Sequence, residues 1–193
     1  MILAIVGMAG AGKTEAAQFI ESKGFMRIRF GQITIDELKA RGLEINEENE
    51  RMIREKLRAE HGMHAFAKLN ASKIDKALES GDVVIDGLYS WEEYIFLRER
   101  YPKNLFVMAI YAPPKLRYAR LISRSGSASD KGKNMRPLSE ADVIKRDIAE
   151  IENLHKAGPI AMADMTIIND ASIEGLKNKI ARGLHRLLKT ASR

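Results

Sequence analysis

Residues 7–14, Gly7-Met8-Ala9-Gly10-Ala11-Gly12-Lys13-Thr14, set glycine, four residues and Gly-Lys-Thr directly behind the apolar run Ile2-Leu3-Ala4-Ile5-Val6. No other feature constrains the chain as much. The glycines let backbone amides turn inward around a phosphate with no side chain in the way. The lysine supplies a point charge, and the threonine hydroxyl is placed to ligate Mg²⁺. The stretch after Thr14 is helix-forming, so an apolar strand enters the loop and a helix leaves it, its N-terminal field adding to the attraction for an anion. A dinucleotide-binding turn ends on its third glycine without a lysine. The motif therefore points to a nucleoside triphosphate, with all eight residues as candidate contacts, Lys13 also catalytic and Thr14 also a metal ligand.

The rest of the chain supports the strand–helix setting. Short apolar runs at 2–6, 26–30, 83–86, 105–111 and 165–168 alternate with longer amphipathic stretches, the pattern of an α/β domain with a parallel sheet wrapped by helices. Val83-Val84-Ile85 and residues 105–110 are apolar without alternation, as strands covered on both faces are. At 193 residues the chain fits a single domain. Two segments break the rhythm. Residues 31–80 read almost wholly as helix, more than a crossover needs, and suggest an inserted helical subdomain. Residues 125–134 are polar and rich in Ser and Gly, with Arg124 before them and Arg136 after. Beyond that segment, Ser139 and Asp142 form a capping-box pattern opening a helix whose apolar face includes Ile144, Ile148 and Ile151.

Asp86 ends the apolar run 83–86, at the sheet edge where a carboxylate can support the metal. The competing reading is a turn-forming Asp-Gly, since Gly87 follows. Arg117, Arg120 and Arg124 share one helix, with Arg136 and Arg146 beyond the polar segment. Guanidinium groups of this kind neutralise charge that develops on a moving phosphoryl group, and as a set straddling a Ser/Gly-rich stretch they read as a lid. His61 and His64 read as structural. Asp36 and Glu37 open the helical insertion, where acids are common at a helix start.

Composition excludes several alternatives. There is no cysteine, which removes disulfide scaffolds, Cys-ligated zinc and thiol nucleophiles. No apolar run approaches the roughly 18 residues of a membrane span, and no basic region precedes the first strand, so a soluble, cytoplasmic protein is expected. The net charge of +6 equals the six basic residues Lys177, Lys179, Arg182, Arg186, Lys189 and Arg193 at the end of the chain. Any nucleic-acid reading rests on that one helix, and a solvated basic face explains it as well. The alternative function is thus a nucleotide-dependent NTPase that docks RNA or a protein partner through its C-terminal helix.

The loop 7–14, Leu57-Arg58 with Gly62, Val84-Ile85-Asp86-Gly87, Ala112-Pro113-Pro114 leading to Arg117, Arg120 and Arg124, Ala163-Asp164 and Ile168-Asn169-Asp170 together resemble the nucleoside monophosphate kinase-like P-loop kinases. Within these the chain resembles most the nucleotide-kinase-like proteins grouped with dephospho-CoA kinase and adenylate kinase. The resemblance implies a five-stranded parallel sheet in the order 2-3-1-4-5, a helical acceptor-binding insertion at 31–80 and a lid at 124–138. It implies transfer of the γ-phosphoryl group of ATP, with Mg²⁺, to a nucleotide-like small-molecule acceptor such as a nucleoside monophosphate or dephospho-CoA. Lys13, Asp86, Arg120, Arg124 and Arg136 would carry the chemistry, and the loop at Asn169 would lie against the adenine. Many members of the group carry arginine two places after the glycine at 87, where this chain has Tyr89.

Overall fold

The computed structural model describes residues 1–125 and 138–191. Its elements run β1 (Ile2–Val6), α1 (Lys13–Glu21), β2 (Met26–Arg29), α2 (Gln32–Ala40), α3 (Glu47–His61), α4 (Ala65–Leu78), β3 (Val83–Asp86), α5 (Trp91–Arg100), β4 (Leu105–Tyr111), α6 (Pro114–Ser125), α7 (Glu140–Leu154), α8 (Ala157–Ala161), β5 (Met165–Ile168) and α9 (Ile173–Ala191). The strands form one parallel sheet in the order β2-β3-β1-β4-β5. A parallel sheet flanked by helices is what the strand–helix alternation predicts, and its order is the one the resemblance to P-loop kinases implies.

The central strand is buried on both faces because alternate residues enter different cores. Ile2, Ala4 and Val6 pack with Val83, Ile85 and Val107 under α4 and α5, where Phe66, Ile74 and Leu97 are buried. Leu3 and Ile5 pack with Val84, Met108 and Ile110 under α1 and α9, where Ile20, Ile180 and Leu184 are buried. Burial of aliphatic side chains on this scale is the main driving force for the fold. The register matters for function: Ile5 lies beside Asp86 and Val6 beside Ala109. The loop leaving β1 and the end of β3 therefore meet at one edge of the sheet.

The 31–80 stretch is indeed helical, forming α2, α3 and α4. Helix α9 buries Leu176, Ile180, Leu184 and Leu187 at helical spacing. A Cβ on its Gly183 would come 2.5 Å from the Met165 sulfur, so the helix lies tightly on β5. The basic helix is thus part of the core on one face, with Arg182, Arg186 and Lys189 exposed on the other. In α7 the Ser139–Asp142 capping box is present, but the isoleucine face is not buried. Ile144, Ile148 and Ile151 are 39%, 48% and 45% exposed, whereas Val143 and Asp147 point inward. A buried arginine claims the inward side of this helix, as described below.

Helix α5 opens with a second capping box, between Ser90 and Glu93. Glu93 is fully buried; its Oε2 accepts the Tyr89 amide at 2.8 Å and the Ser90 amide at 3.3 Å. Burial pushes its carboxyl up to about 7, partly offset by those two amides and by Arg58. A carboxyl raised in the folded state contributes stability that is complete below its unfolded value near 4.5 and is lost as pH rises through about 7. Glu93→Gln keeps an oxygen for both amides and carries no charge. Thermal unfolding at pH 5 and pH 8 is expected to show the variant gaining on the native chain at the higher pH. Parallel curves at the two pH values would refute it.

Candidate active site

The phosphate loop is shaped by its glycines from behind. Gly7, Gly10 and Gly12 have φ of 143°, 76° and 101°, a region that side chains rarely adopt. A Cβ on each would meet a neighbour: the Ile110 carbonyl oxygen at 2.3 Å, the Arg117 carbonyl oxygen at 2.7 Å and the Asn169 side-chain nitrogen at 2.4 Å. The loop is therefore pressed against the ends of β4, α6 and β5. The Lys13 ammonium donates to the Met8 carbonyl at 3.0 Å. Burial, followed by the nearby Lys156 ammonium, pulls its pKa down to about 7, so the loop holds a cation that an anionic ligand would stabilise. Thr14 lies in the first turn of α1, where the amides have no partner within the helix.

Three side chains hold the loop's carbonyls. Arg117, expected only as one of a series, is buried and donates to the carbonyls of Ala9 at 2.9 Å and Ala112 at 3.2 Å. Its guanidinium also grips both oxygens of Asp147 on α7, at 3.0 and 2.5 Å. The Asn169 amide donates to the Ala11 carbonyl at 2.8 Å. Arg120 reaches the Gly10 carbonyl at 3.4 Å and the Asn169 carbonyl at 3.2 Å. Arg124 lies near Arg120, each a cation, and burial with this neighbour lowers the Arg120 pKa. Arg136 and residues 126–137 of the expected lid lie outside the described residues.

A cleft of about 360 Å³ joins the loop to β2 and β3, lined by Thr14, Gln18, Arg27, Arg29, Asp86 and Tyr89 among others. Asp86 is buried and is gripped by Arg27, whose Nε and Nη2 both donate to Oδ2, at 3.2 and 2.5 Å. Its other oxygen, Oδ1, is the one left for a ligand. Arg27 carries no motif in the sequence; only its place on β2, in register with Val84 two residues before the end of β3, points to it. Lys156 likewise carries no local pattern in the sequence. It is buried, pairs with Glu150 at 2.5 Å and lies 5.1 Å from the centre of the Tyr89 ring. The acids Asp36 and Glu37 are taken up locally, by Gln32 and Arg41, and His64 stacks on Phe96.

These donors suit a magnesium nucleotide. Mg²⁺ binds through one or two protein oxygens and completes its shell with phosphates and water. Thr14 and Asp86 line one cleft, and no cluster of three or more His, Cys, Asp or Glu able to hold a metal alone occurs among the described residues.

A family model described as an AAA domain matches residues 3–144. A UPF0200 protein of Thermococcus gammatolerans is 36% identical over 195 residues, spanning 96% of this chain and 98% of its own. The chain belongs to the UPF0200 family. Among solved structures this UPF0200 chain is similar to TT1252 from Thermus thermophilus, with a TM-score of 0.64 at 18% identity over 97% of each chain. It is also similar to a shikimate kinase from Bacteroides thetaiotaomicron, with a TM-score of 0.56 at 15% identity over 98% of each. At such identities the likeness is one of fold, and the fold is that of P-loop kinases.

Proposed function

We propose that this chain is a Mg²⁺-ATP-dependent phosphotransferase that moves the γ-phosphoryl group to a nucleotide-like acceptor, a nucleoside monophosphate or dephospho-CoA. The observation that carries the reading is a cleft beside the phosphate loop that Thr14 and Asp86 line together with Arg27, which holds Asp86, and Arg29. Such a cleft can hold a triphosphate end and an anionic acceptor together, which turns a bimolecular transfer into a local one.

In this reading Gly7 to Thr14 bind the triphosphate, with Lys13 on its outer phosphates. Thr14 and Asp86 hold the metal, which when bound neutralises charge on the β- and γ-oxygens. Arg27 fixes the Asp86 carboxylate by its second oxygen, so the first stays oriented. Arg120, Arg124 and Arg136 stabilise the charge of the moving phosphoryl group, with 124–138 as the lid that excludes water. The helices of 31–80 present the acceptor, and the loop at Asn169 borders the base.

The test is ADP release from Mg²⁺-ATP with AMP, CMP, UMP, dTMP and dephospho-CoA, and with shikimate as a non-nucleotide acceptor. Strong stimulation by one of the nucleotides supports the reading and names the substrate. Stimulation by shikimate alone keeps the kinase and overturns the acceptor class. Slow hydrolysis indifferent to every acceptor rejects the kinase and favours the NTPase that docks RNA, whose binding would weaken with salt and on neutralising Arg182, Arg186 and Lys189.

A further inference from the structure

The phosphate site holds more positive charge than its own acids balance. Asp147 is taken by Arg117, and Asp86 by Arg27. What remains is Glu150, and two cations share it: Arg146 Nε at 3.2 Å on Oε1 and Lys156 Nζ at 2.5 Å on Oε2. Among the described residues Lys13 has no acid within ion-pair distance and rests on the Met8 carbonyl. Two cations therefore share one carboxylate, while Lys13 is held by a backbone carbonyl. Lys156 is 2% exposed and shares Glu150 with the half-exposed Arg146, and a buried ammonium with only part of a counter-ion favours a further anion.

The backbone directs Lys156 into the site. His155, the residue before it, is the one non-glycine with positive φ among the described residues, at 48°, and it ends α7. After this turn the Lys156 amide donates to the Glu150 carbonyl at 3.3 Å, and its ammonium lies over the ring of Tyr89, which lines the cleft with Thr14 and Asp86. Lys156 thus sits behind the cleft, against the ring of one of its lining residues.

We propose that Lys156 is a second phosphate-binding lysine that contacts the terminal phosphoryl group of the bound triphosphate, and that Glu150 holds its place until the nucleotide arrives. This rests on the kinase reading for the identity of the ligand. On binding, the ammonium exchanges the Glu150 carboxylate for phosphoryl oxygens; no covalent bond changes. Lys156 then distinguishes a triphosphate from a diphosphate, which lacks the group it touches.

The test is calorimetric titration of the full chain with Mg²⁺-ADP and with the Mg²⁺ complex of the non-hydrolysable β,γ-imido analogue of ATP. The native chain should bind the analogue more tightly than ADP. Lys156→Met should lose about tenfold or more for the analogue and change ADP affinity by less than about twofold, a charge-assisted contact being worth at least that much. Lys156→Arg should recover part of the loss. Glu150→Gln, which frees the ammonium, should bind the analogue at least as tightly as the native chain, and it keeps the inference testable if Lys156→Met fails to fold. Equal losses for both nucleotides, no loss for either, or weakened analogue binding in Glu150→Gln would overturn the proposal. Native binding of both nucleotides with equal affinity removes the role of Lys156 and leaves the kinase reading intact. Binding of neither removes both.

Discussion

Lys13→Ala is expected to lower phosphoryl transfer by about 10²–10³-fold with the best acceptor, the scale on which loss of a preorganised charge contact to a developing anion is felt. Among the described residues the lysine side chain has one hydrogen bond, to the Met8 carbonyl, and that carbonyl also accepts the Ala11 amide at 3.2 Å. Removing the side chain thus leaves the loop's backbone pattern in place, and the thermal midpoint should stay close to native. Single-turnover measurement of ADP formation alongside thermal unfolding separates the two effects. Unchanged transfer would end the assignment of the loop, and a matching fall in the thermal midpoint would reassign the residue to structure.

Arg117→Ala should act in the opposite sense, through the fold. The alanine leaves Asp147 buried without its counter-ion, a situation that costs about 3–5 kcal/mol. For a domain of this size that lowers the thermal midpoint by roughly 6–20 °C. It also leaves the Ala9 carbonyl without its partner, so nucleotide affinity should fall together with stability. The double replacement Arg117→Met with Asp147→Leu removes both charges. It should regain much of the lost stability and little of the affinity, because the apolar pair fills the space but holds no loop carbonyl. Additive losses in the double variant would show that the two side chains act separately.

The strand runs, the glycine-shaped loop and the place of Asp86 at the end of β3 could be read from the chain because each rests on a local pattern: unbroken apolar residues, or glycines and a lysine at fixed spacing. Arg117, Arg27 and Lys156 could not. Their significance comes from partners 30 residues away in Asp147, 59 away in Asp86 and 67 away in Tyr89, and no local periodicity encodes such a pairing. The isoleucines of α7 fail for a related reason. Helical spacing shows that Ile144, Ile148 and Ile151 share a face, but the inward side went to Asp147, whose buried partner sits on another helix.

The loop's carbonyls are tied down on their outer side by Arg117, Arg120 and Asn169. A nucleotide meeting such a loop has little chain entropy to remove on arrival. Its capture should be limited by encounter rather than by rearrangement, with observed rates rising linearly in nucleotide concentration and showing no plateau. For the proposed phosphotransferase, the slow events would then fall after capture, product release among them.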